Sequence, residues 1–349
     1  MTQRTAPARH PAQGLGQGER PSRAGHSAED RAARNTRNPG LPLDLDWVRD
    51  IRVNRSAAEH RARTLGKRRS VKKQWQAGWL ARAVTLIDLT TLAGDDTPGR
   101  VRRLCGKARD PVRPDILEAL GIPRDEVRVG AVCVYHSLIE TAVHALGSSG
   151  IPVAAVSTGF PAGLSPMKLR VEEIHASVAA GATEIDVVIT RGSALRGEWE
   201  ALYDEIASFR HACGPAKLKV ILGTGELGTL GNVARASVVA MMAGADFVKT
   251  STGKEPVNAT LPVGLVMARM IRQYGQRTGF RIGLKPAGGI RTAKDALAWM
   301  VLMKEELGAP WLEPDLFRFG ASSLLSDIER QLEHHVTGRY SAFHRHPQG

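Results

Sequence analysis

The sequence predicts an α/β protein, a (β/α)₈ TIM barrel with an N-terminal helical extension and a disordered basic tail. From about residue 81 onward, short β-branched runs alternate with longer segments of helical period. Eight such runs occur, and eight βα units over roughly 260 residues are typical of a closed barrel. The first 80 residues lack this alternation. We therefore predict a tail over residues 1–40, a helical extension over residues 41–80 and a catalytic barrel domain over residues 81–349.

The predicted tail carries most of the charge imbalance. Residues 1–40 are rich in Gly, Pro, Arg, Ser, Ala and Gln without a hydrophobic period, which is typical of disorder. Residues 1–80 hold 17 Lys and Arg against 7 Asp and Glu, whereas residues 81–349 hold 31 against 28. A basic extension can attach to nucleic acid, so a nucleic-acid-binding protein is the non-enzymatic alternative. Because these charges include no stacking motif and aromatics are 5% of the chain, we do not expect that partner.

The cysteine content and the hydrophobic runs indicate a cytoplasmic protein. Cys105, Cys133 and Cys213 are few, odd in number and without metal-ligand spacing, as expected of thiols in a reducing compartment. The N-terminus lacks the apolar segment of a secretory signal. No apolar run approaches the roughly 20 residues that span a bilayer, so no membrane partner is expected.

The helical extension is predicted from apolar residues at helical spacing. Trp47 and Ile51 form one group and Trp75 and Trp79 another, separated by the basic stretch Lys67–Lys73. We expect these segments to pack onto the larger body of the protein.

The barrel itself is predicted strand by strand. The eight strands are Val84–Asp88, Val127–Val134, Val153–Thr158, Glu184–Ile189, Leu218–Leu222, Asp246–Lys249, Arg281–Lys285 and Leu316–Gly320. The helix after the seventh strand is predicted over Ala293–Leu307, with Thr292 as its cap and Asp295 at the third position. A doubly wound open sheet has the same alternation and is the alternative architecture, although the count of eight favours the barrel.

Three charged residues on the predicted strands form a candidate catalytic group. Lys249 ends the sixth strand, Lys285 ends the seventh, and Asp186 lies within the fourth. In a barrel, all three can face the mouth where catalytic residues lie. Burial and a neighbouring positive charge both lower a lysine pKa, and a neutral amine is what Schiff-base formation requires. Asp186 is placed to transfer protons, although each residue taken alone is more commonly a solvated or paired charge.

A phosphate site is predicted on the loops after strands seven and eight. Gly288 and Gly289 allow backbone N–H groups to approach an anion closely, and Ser322 and Ser323 open a helix. Lys254, in the loop after strand six, adds positive charge. The alternative role of the two serines is helix capping.

Two further patterns are weighed and set aside. Gly223–Gly228 matches the dinucleotide fingerprint, with Asp246 about 20 residues later. However, it falls on the fifth βα unit, and Glu226 would face a pyrophosphate. His334 and His335 have no companion ligands at metal spacing, so no metal is expected.

Four stretches together resemble the deoxyribose-phosphate aldolase family. They are Leu86-Ile87-Asp88-Leu89-Thr90-Thr91-Leu92, Glu184-Ile185-Asp186-Val187-Val188, Phe247-Val248-Lys249-Thr250-Ser251-Thr252-Gly253-Lys254 and Lys285-Pro286-Ala287-Gly288-Gly289-Ile290-Arg291. The resemblance covers roughly residues 45–345 and is closest to the longer form of the family, which has a helical segment before the barrel.

The resemblance implies a class I aldolase, a lyase that uses no metal or other cofactor. Such an enzyme reversibly cleaves 2-deoxy-D-ribose 5-phosphate into D-glyceraldehyde 3-phosphate and acetaldehyde. It further implies that Lys249 forms the Schiff base, that Lys285 lowers its pKa or moves protons, and that Asp186 donates and accepts protons. The residues implied around the phosphate are Thr252, Gly253, Lys254, Gly288, Gly289, Ser322 and Ser323.

Some features lie outside this resemblance. Residues 1–40 have no counterpart in the family, and Tyr340 is followed by nine residues, whereas some members end in a tyrosine that reaches the active site. The enzymatic alternative is another phosphosugar barrel enzyme, an isomerase or related aldolase, whose lysines only bind charge. A homo-oligomer is compatible with either activity.

Overall fold

Eight parallel β-strands form one sheet in the computed structural model, which describes residues 37–68 and 70–346. The strands are β1 (Ile87–Thr90), β2 (Ala131–Tyr135), β3 (Val153–Ser157), β4 (Glu184–Val188), β5 (Lys217–Ile221), β6 (Phe247–Lys249), β7 (Gly283–Lys285) and β8 (Phe319–Ala321). Neighbours follow chain order from β1 to β7, and β8 lies beside β1. Two parallel bridges, Leu284 to Phe317 and Ala287 to Gly320, join β7 to the β8 segment and close the barrel. This closure confirms the predicted barrel and excludes the open sheet.

Helices surround this sheet. The helices in the described residues are α1 (Leu45–Asp50), α2 (Arg55–Arg68), α3 (Lys73–Thr85), α4 (Pro98–Arg109), α5 (Pro114–Ala119), α6 (Ile139–Leu146), α7 (Met167–Ala179), α8 (Arg191–Arg196), α9 (Trp199–Ala212), α10 (Leu230–Met242), α11 (Leu261–Thr278), α12 (Ala293–Leu307) and α13 (Leu324–Thr337). None of them has both the length and the apolar character needed to cross a bilayer.

The predicted first strand begins too early. Val84 and Thr85 are the last residues of α3, and β1 begins only at Ile87. Val84 is buried, as are Leu80 one turn earlier and Ala77 two turns earlier on the same helical face. Burial of that face therefore outweighs the strand propensity of the two β-branched residues. The second and eighth strands also begin later than predicted, and the other five match within two residues.

The helix after β7 begins as predicted. The Thr292 hydroxyl accepts the Asp295 N–H at 3.1 Å, and the Asp295 carboxylate accepts the Thr292 N–H at 3.1 Å. This reciprocal pair is a capping box, of a kind in which the cap contributes about 1 kcal/mol to stability. It fixes the point where the loop that follows Lys285 enters α12.

The segment before α1 binds the end of the barrel at which the strands begin, opposite the end that carries Lys249. The Asn38 N–H donates to Asp246 Oδ1 at 3.0 Å, and its amide nitrogen donates to the carbonyls of Met241 and Ala245. Tyr274 donates its hydroxyl to the Asn38 side chain at 3.1 Å. Asn38 is buried, so its polar groups are satisfied by the barrel rather than by water. Of the predicted tail over residues 1–40, residues 1–36 lie outside the described residues, and residues 37–40 lie within them.

Candidate active site

Asp186 lies between two lysines inside the barrel. Lys249 and Lys285 are register partners on the adjacent strands β6 and β7. Lys249 Nζ lies 2.8 Å from Asp186 Oδ2, and Lys285 Nζ lies 2.7 Å from the same oxygen. The structure therefore brings together the three residues that the sequence predicts as a catalytic group.

Strand alternation and one glycine make this arrangement possible. Phe247 and Lys249 are two residues apart in β6 and point to the same side of the sheet. A Cβ at Gly283 would lie 2.3 Å from the Phe247 ring, so only glycine leaves room for that ring. The ring packs beneath the lysines, and the Lys219 ammonium lies 5.6 Å from its centre.

The two lysines differ in pKa although both are buried. Burial lowers the pKa of Lys249; the carboxylate of Asp186 opposes that shift and the charge of Lys285 adds to it. Burial also acts against the charge of Lys285, but Asp186 and Asp88 outweigh it and raise the Lys285 pKa above its usual range. The second carboxylate explains the difference, because Lys285 Nζ lies 2.5 Å from Asp88 Oδ2.

Asp186 is held as a carboxylate. Burial alone would raise its pKa, but the positive charges of Lys249, Lys285 and Lys219 hold the Asp186 pKa well below its usual range. Its Oδ1 atom is buried and accepts no hydrogen bond in the described part of the chain. Asp186 is therefore ionised and carries no proton of its own to donate.

Four charged residues that were not predicted as site residues lie beside this group, on the side away from the cavity. Asp88 (β1), Glu184 (β4), Lys219 (β5) and Arg318, just before β8, are at most 2% exposed. Strand alternation could have indicated Glu184, because it lies two residues before Asp186 on the same face. Asp88 lies within the first of the four stretches that resemble the family.

An open cavity of about 440 Å³ lies above Lys249. Its lining includes Lys249 together with all the residues predicted around the phosphate, which are Thr252, Gly253, Lys254, Gly288, Gly289, Ser322 and Ser323. Asp186 and Lys285 are not part of this lining. Lys249 is therefore the member of the catalytic group that a ligand in the cavity would meet.

The loop after β6 is shaped by a carboxylate. Glu255 accepts the N–H groups of Thr252 at 3.0 Å and Gly253 at 3.1 Å, and also the Thr252 hydroxyl at 2.7 Å. The Gly253 N–H is thus already engaged, which the sequence did not indicate. Lys254 is exposed and donates to the Leu92 carbonyl at 3.0 Å, across the cavity rim.

The loops after β7 and β8 offer donors to an anion. Gly288 and Gly289 have φ angles of +79° and +81°, which glycine adopts without strain. Ser322 and Ser323 are exposed, and the Ser323 side chain does not cap α13 although it precedes that helix. Within the described part of the chain, the two hydroxyls and the N-terminal end of α13 are therefore free to meet an anion in the cavity.

Further basic side chains line the same cavity. Arg100, on α4, and Arg291, after the glycine pair, were not predicted as site residues. Arg100 Nη1 donates to Asp96 Oδ1 at 3.1 Å, which orients its guanidinium. With Lys254, these arginines give the cavity rim a positive character that suits a phosphate.

The Gly223–Gly228 loop, Asp246 and the pair His334 and His335 are not part of the cavity lining. Asp246 precedes β6, at the end opposite Lys249, where it binds Arg210 at 2.8 Å and the Leu218 N–H. Glu226, in the Gly223–Gly228 loop, pairs with Arg191 at 2.5 Å. His334 stacks on Tyr340 with ring centroids 4.9 Å apart, and Tyr340 is 93% exposed. Tyr340 therefore lies at the surface rather than in the cavity.

Known proteins resemble this chain in sequence and in fold. A family model described as "DeoC/LacD family aldolase" matches residues 82–330. The deoxyribose-phosphate aldolase of Mus musculus is 61% identical over 310 residues, covering 88% of this chain and 98% of that protein. The Homo sapiens enzyme of that name is 60% identical over 312 residues, covering 89% and 98%. A tetrameric deoxyribose phosphate aldolase from Aeropyrum pernix superposes with a TM-score of 0.57 at 25% identity, covering 76% of this chain and 97% of that one.

Proposed function

This chain belongs to the DeoC/LacD aldolase family, and we propose that it acts as a deoxyribose-phosphate aldolase. The reaction is the reversible cleavage of 2-deoxy-D-ribose 5-phosphate into D-glyceraldehyde 3-phosphate and acetaldehyde, through a Schiff base on Lys249. One observation above all supports this reaction. Lys249 lines the cavity and has a lowered pKa, whereas Lys285 lies below the cavity with a raised pKa.

The first stage joins the substrate to Lys249. The neutral amine adds to the aldehyde carbon of the open-chain sugar, and the carbonyl oxygen gains a proton to give a carbinolamine. Asp186 passes the proton that leaves the Lys249 nitrogen to that oxygen, and a second proton, taken from water, lets the oxygen depart as water and leaves an iminium ion. Lys285, held as a cation below the cavity, adds positive charge that favours the neutral amine of Lys249 at the start of this stage.

The second stage breaks the bond between C2 and C3. Removal of the C3 hydroxyl proton forms the carbonyl of D-glyceraldehyde 3-phosphate, and the bonding electrons pass to the iminium group as an enamine. Protonation of the enamine carbon gives the iminium of acetaldehyde, and water releases the aldehyde and restores Lys249. Asp186 is placed to transfer protons because its oxygen is within hydrogen-bond distance of both lysines.

The phosphate would lie at the rim of the cavity. Ser322 and Ser323 with the end of α13, the backbone of Gly288 and Gly289, and the ammonium of Lys254 surround that position. Thr252 and Gly253 contribute by shaping the loop, since Glu255 occupies their N–H groups. A phosphate held there would leave the aldehyde end of the sugar directed toward Lys249.

Product analysis tests this function. Purified protein incubated with 2-deoxy-D-ribose 5-phosphate should release acetaldehyde and D-glyceraldehyde 3-phosphate in equal amounts. A Lys249→Met variant should retain its fold and lose this release. Formation of an isomeric sugar phosphate without acetaldehyde would instead establish the isomerase alternative.

The setting of this activity is also a proposal. The three cysteines are buried free thiols, which supports a reducing, cytoplasmic location. The tetrameric relative supports a homo-oligomer, which sedimentation analysis would test. We propose residues 81–349 as the catalytic domain and residues 41–80 as its helical extension. Of the predicted tail over residues 1–40, we propose an accessory role for residues 1–36, because Asn38 binds the barrel.

A further inference from the structure

Four buried charges form a ring below the catalytic group. We call Asp88, Glu184, Lys219 and Arg318 the charged floor. Arg318 binds Asp88 Oδ1 at 2.5 Å and Glu184 Oε1 at 3.0 Å. Lys219 Nζ binds Asp88 Oδ2 at 2.8 Å and Glu184 Oε2 at 2.5 Å. Each cation therefore bridges the same two carboxylates, and the floor itself has no net charge.

The charged floor is joined to the residues above it. Asp88 Oδ2 also binds Lys285 Nζ at 2.5 Å, and Lys219 Nζ lies 3.7 Å from Asp186 Oδ1. Since Asp186 contacts both upper lysines, seven ionisable groups form one continuous network. All seven are at most 2% exposed, so water screens their charges poorly.

Charge balance singles out one member of this network. Three carboxylates, on Asp88, Glu184 and Asp186, face four basic side chains. Lys219, Lys285 and Arg318 each contact at least two of these carboxylates, whereas Lys249 contacts only Asp186. The network is neutral when the other three basic groups are charged and Lys249 is an amine. Protonation of Lys249 leaves an uncompensated buried charge, which is costly.

We infer that the charged floor sets the protonation state of Lys249, with Glu184 and Arg318 as positioning residues that touch neither Lys249 nor the cavity. This inference rests on the proposed function, because it concerns the same lysine. The other ionisable group facing Lys249 is the Cys133 thiol, whose pKa is raised by burial, so it adds no charge to this balance. The inference predicts opposite effects from removing opposite charges at two touching positions.

The test uses two single variants and their combination. Glu184→Gln removes a negative charge, and Arg318→Gln removes a positive one. Acetaldehyde with cyanoborohydride converts the Lys249 imine into a stable adduct, which mass spectrometry quantifies at each pH. The midpoint of this pH dependence reports the pKa of Lys249.

The expected shifts follow from charge balance. In Glu184→Gln the midpoint should fall by about one pH unit, and in Arg318→Gln it should rise by a similar amount. In the double variant the charges again balance, so the midpoint should return close to that of the unaltered protein. Glu198→Gln, an identical change at an exposed position, should leave the midpoint unchanged.

Three outcomes would overturn the inference. They are an unchanged midpoint in both single variants, shifts in the same direction, or a double variant that does not return toward the original value. Circular dichroism checks folding; if either single variant fails to fold, Asp88→Asn and Lys219→Met form an equivalent pair with the same expected signs. Absence of any adduct on Lys249 in the unaltered protein would reject the proposed function instead.

Discussion

Lys249 and Lys285 are register partners on neighbouring strands, and both contact the same oxygen of Asp186, at 2.8 and 2.7 Å. Their surroundings nevertheless move their pKa values in opposite directions. The difference comes from Asp88, which binds Lys285 and does not contact Lys249. This difference supports the proposed roles of Lys249 as the nucleophile and of Lys285 as a fixed cation.

Replacing Lys285 should raise the pKa of Lys249 and so reduce the neutral form of its amine at neutral pH. In Lys285→Met the positive charge that helps to lower the Lys249 pKa is gone, so that pKa should rise by about one unit or more. Cleavage at neutral pH should fall by about tenfold or more, because a rise of one pKa unit lowers the neutral fraction of the amine about tenfold, and the acidic limb of the pH–rate profile should move to higher pH. Lys294→Met, at an exposed position on α12, is the matched control. A slower enzyme with an unmoved profile would contradict this role.

Replacing Lys254 should separate phosphate binding from chemistry. A hydrogen bond to a charged group contributes about 1.5–3 kcal/mol, so Lys254→Met should raise KM for the phosphorylated sugar by about tenfold or more. The kcat should change little, because Lys254 lies at the cavity rim. Steady-state kinetics with unphosphorylated 2-deoxy-D-ribose provide the comparison. An equal loss with both sugars would show that Lys254 does not act through the phosphate.

The segment around Asn38 should contribute more to the stability of the protein than residues 1–36 do. Deleting residues 1–36 should leave cleavage and stability intact, because Asn38 and its partners remain. Asn38→Ala in the full chain should lower the unfolding free energy by about 1–3 kcal/mol, since it leaves buried partners unsatisfied. Urea denaturation measures both variants. Loss of activity in a folded protein that lacks residues 1–36 would contradict the accessory role of the tail.

The buried carboxylates should make the fold sensitive to acid. Burial opposes their charge, but neighbouring cations lower the pKa values of Asp88, Glu184 and Asp186. A lowered folded pKa stabilises the protein above the unfolded pKa, near pH 4, and this contribution is lost as pH falls through the folded value.

The unfolding free energy should therefore decrease as the pH falls from about 5 toward 1, with about 2–3 kcal/mol lost over that whole range for one strongly paired carboxylate. Denaturant titrations at several pH values measure this slope, and Asp186→Asn should reduce it. A flat profile would show that the cations do not stabilise the ionised carboxylates.

Much of the barrel could be predicted because it depends on local patterns. β-Branched runs mark the strands, and Thr292 with Asp295 marks the start of α12. The first strand was misplaced because Val84 and Thr85 gain more from burial in α3 than from strand pairing. That balance depends on packing with distant helices, which a local pattern does not contain.

The candidate site could be predicted only in part, for a similar reason. The grouping of Lys249, Lys285 and Asp186 could be predicted because residues on different barrel strands can face one common mouth. Lys219 and Arg318 were not predicted, since a charged residue in a strand is usually solvated. Their burial depends on partners from strands far apart in sequence. Burial and the charge of Lys285 were both expected to lower the Lys249 pKa, and burial is the larger cause.

The covalent role of Lys249 is the central claim, and reductive trapping tests it most directly. Incubation with 2-deoxy-D-ribose 5-phosphate and borohydride, followed by peptide mass spectrometry, should place a stable two-carbon or five-carbon adduct on Lys249. Lys285 should remain unmodified, because it is held as a cation below the cavity. An adduct on Lys285, or no adduct in protein that cleaves the sugar, would contradict the account.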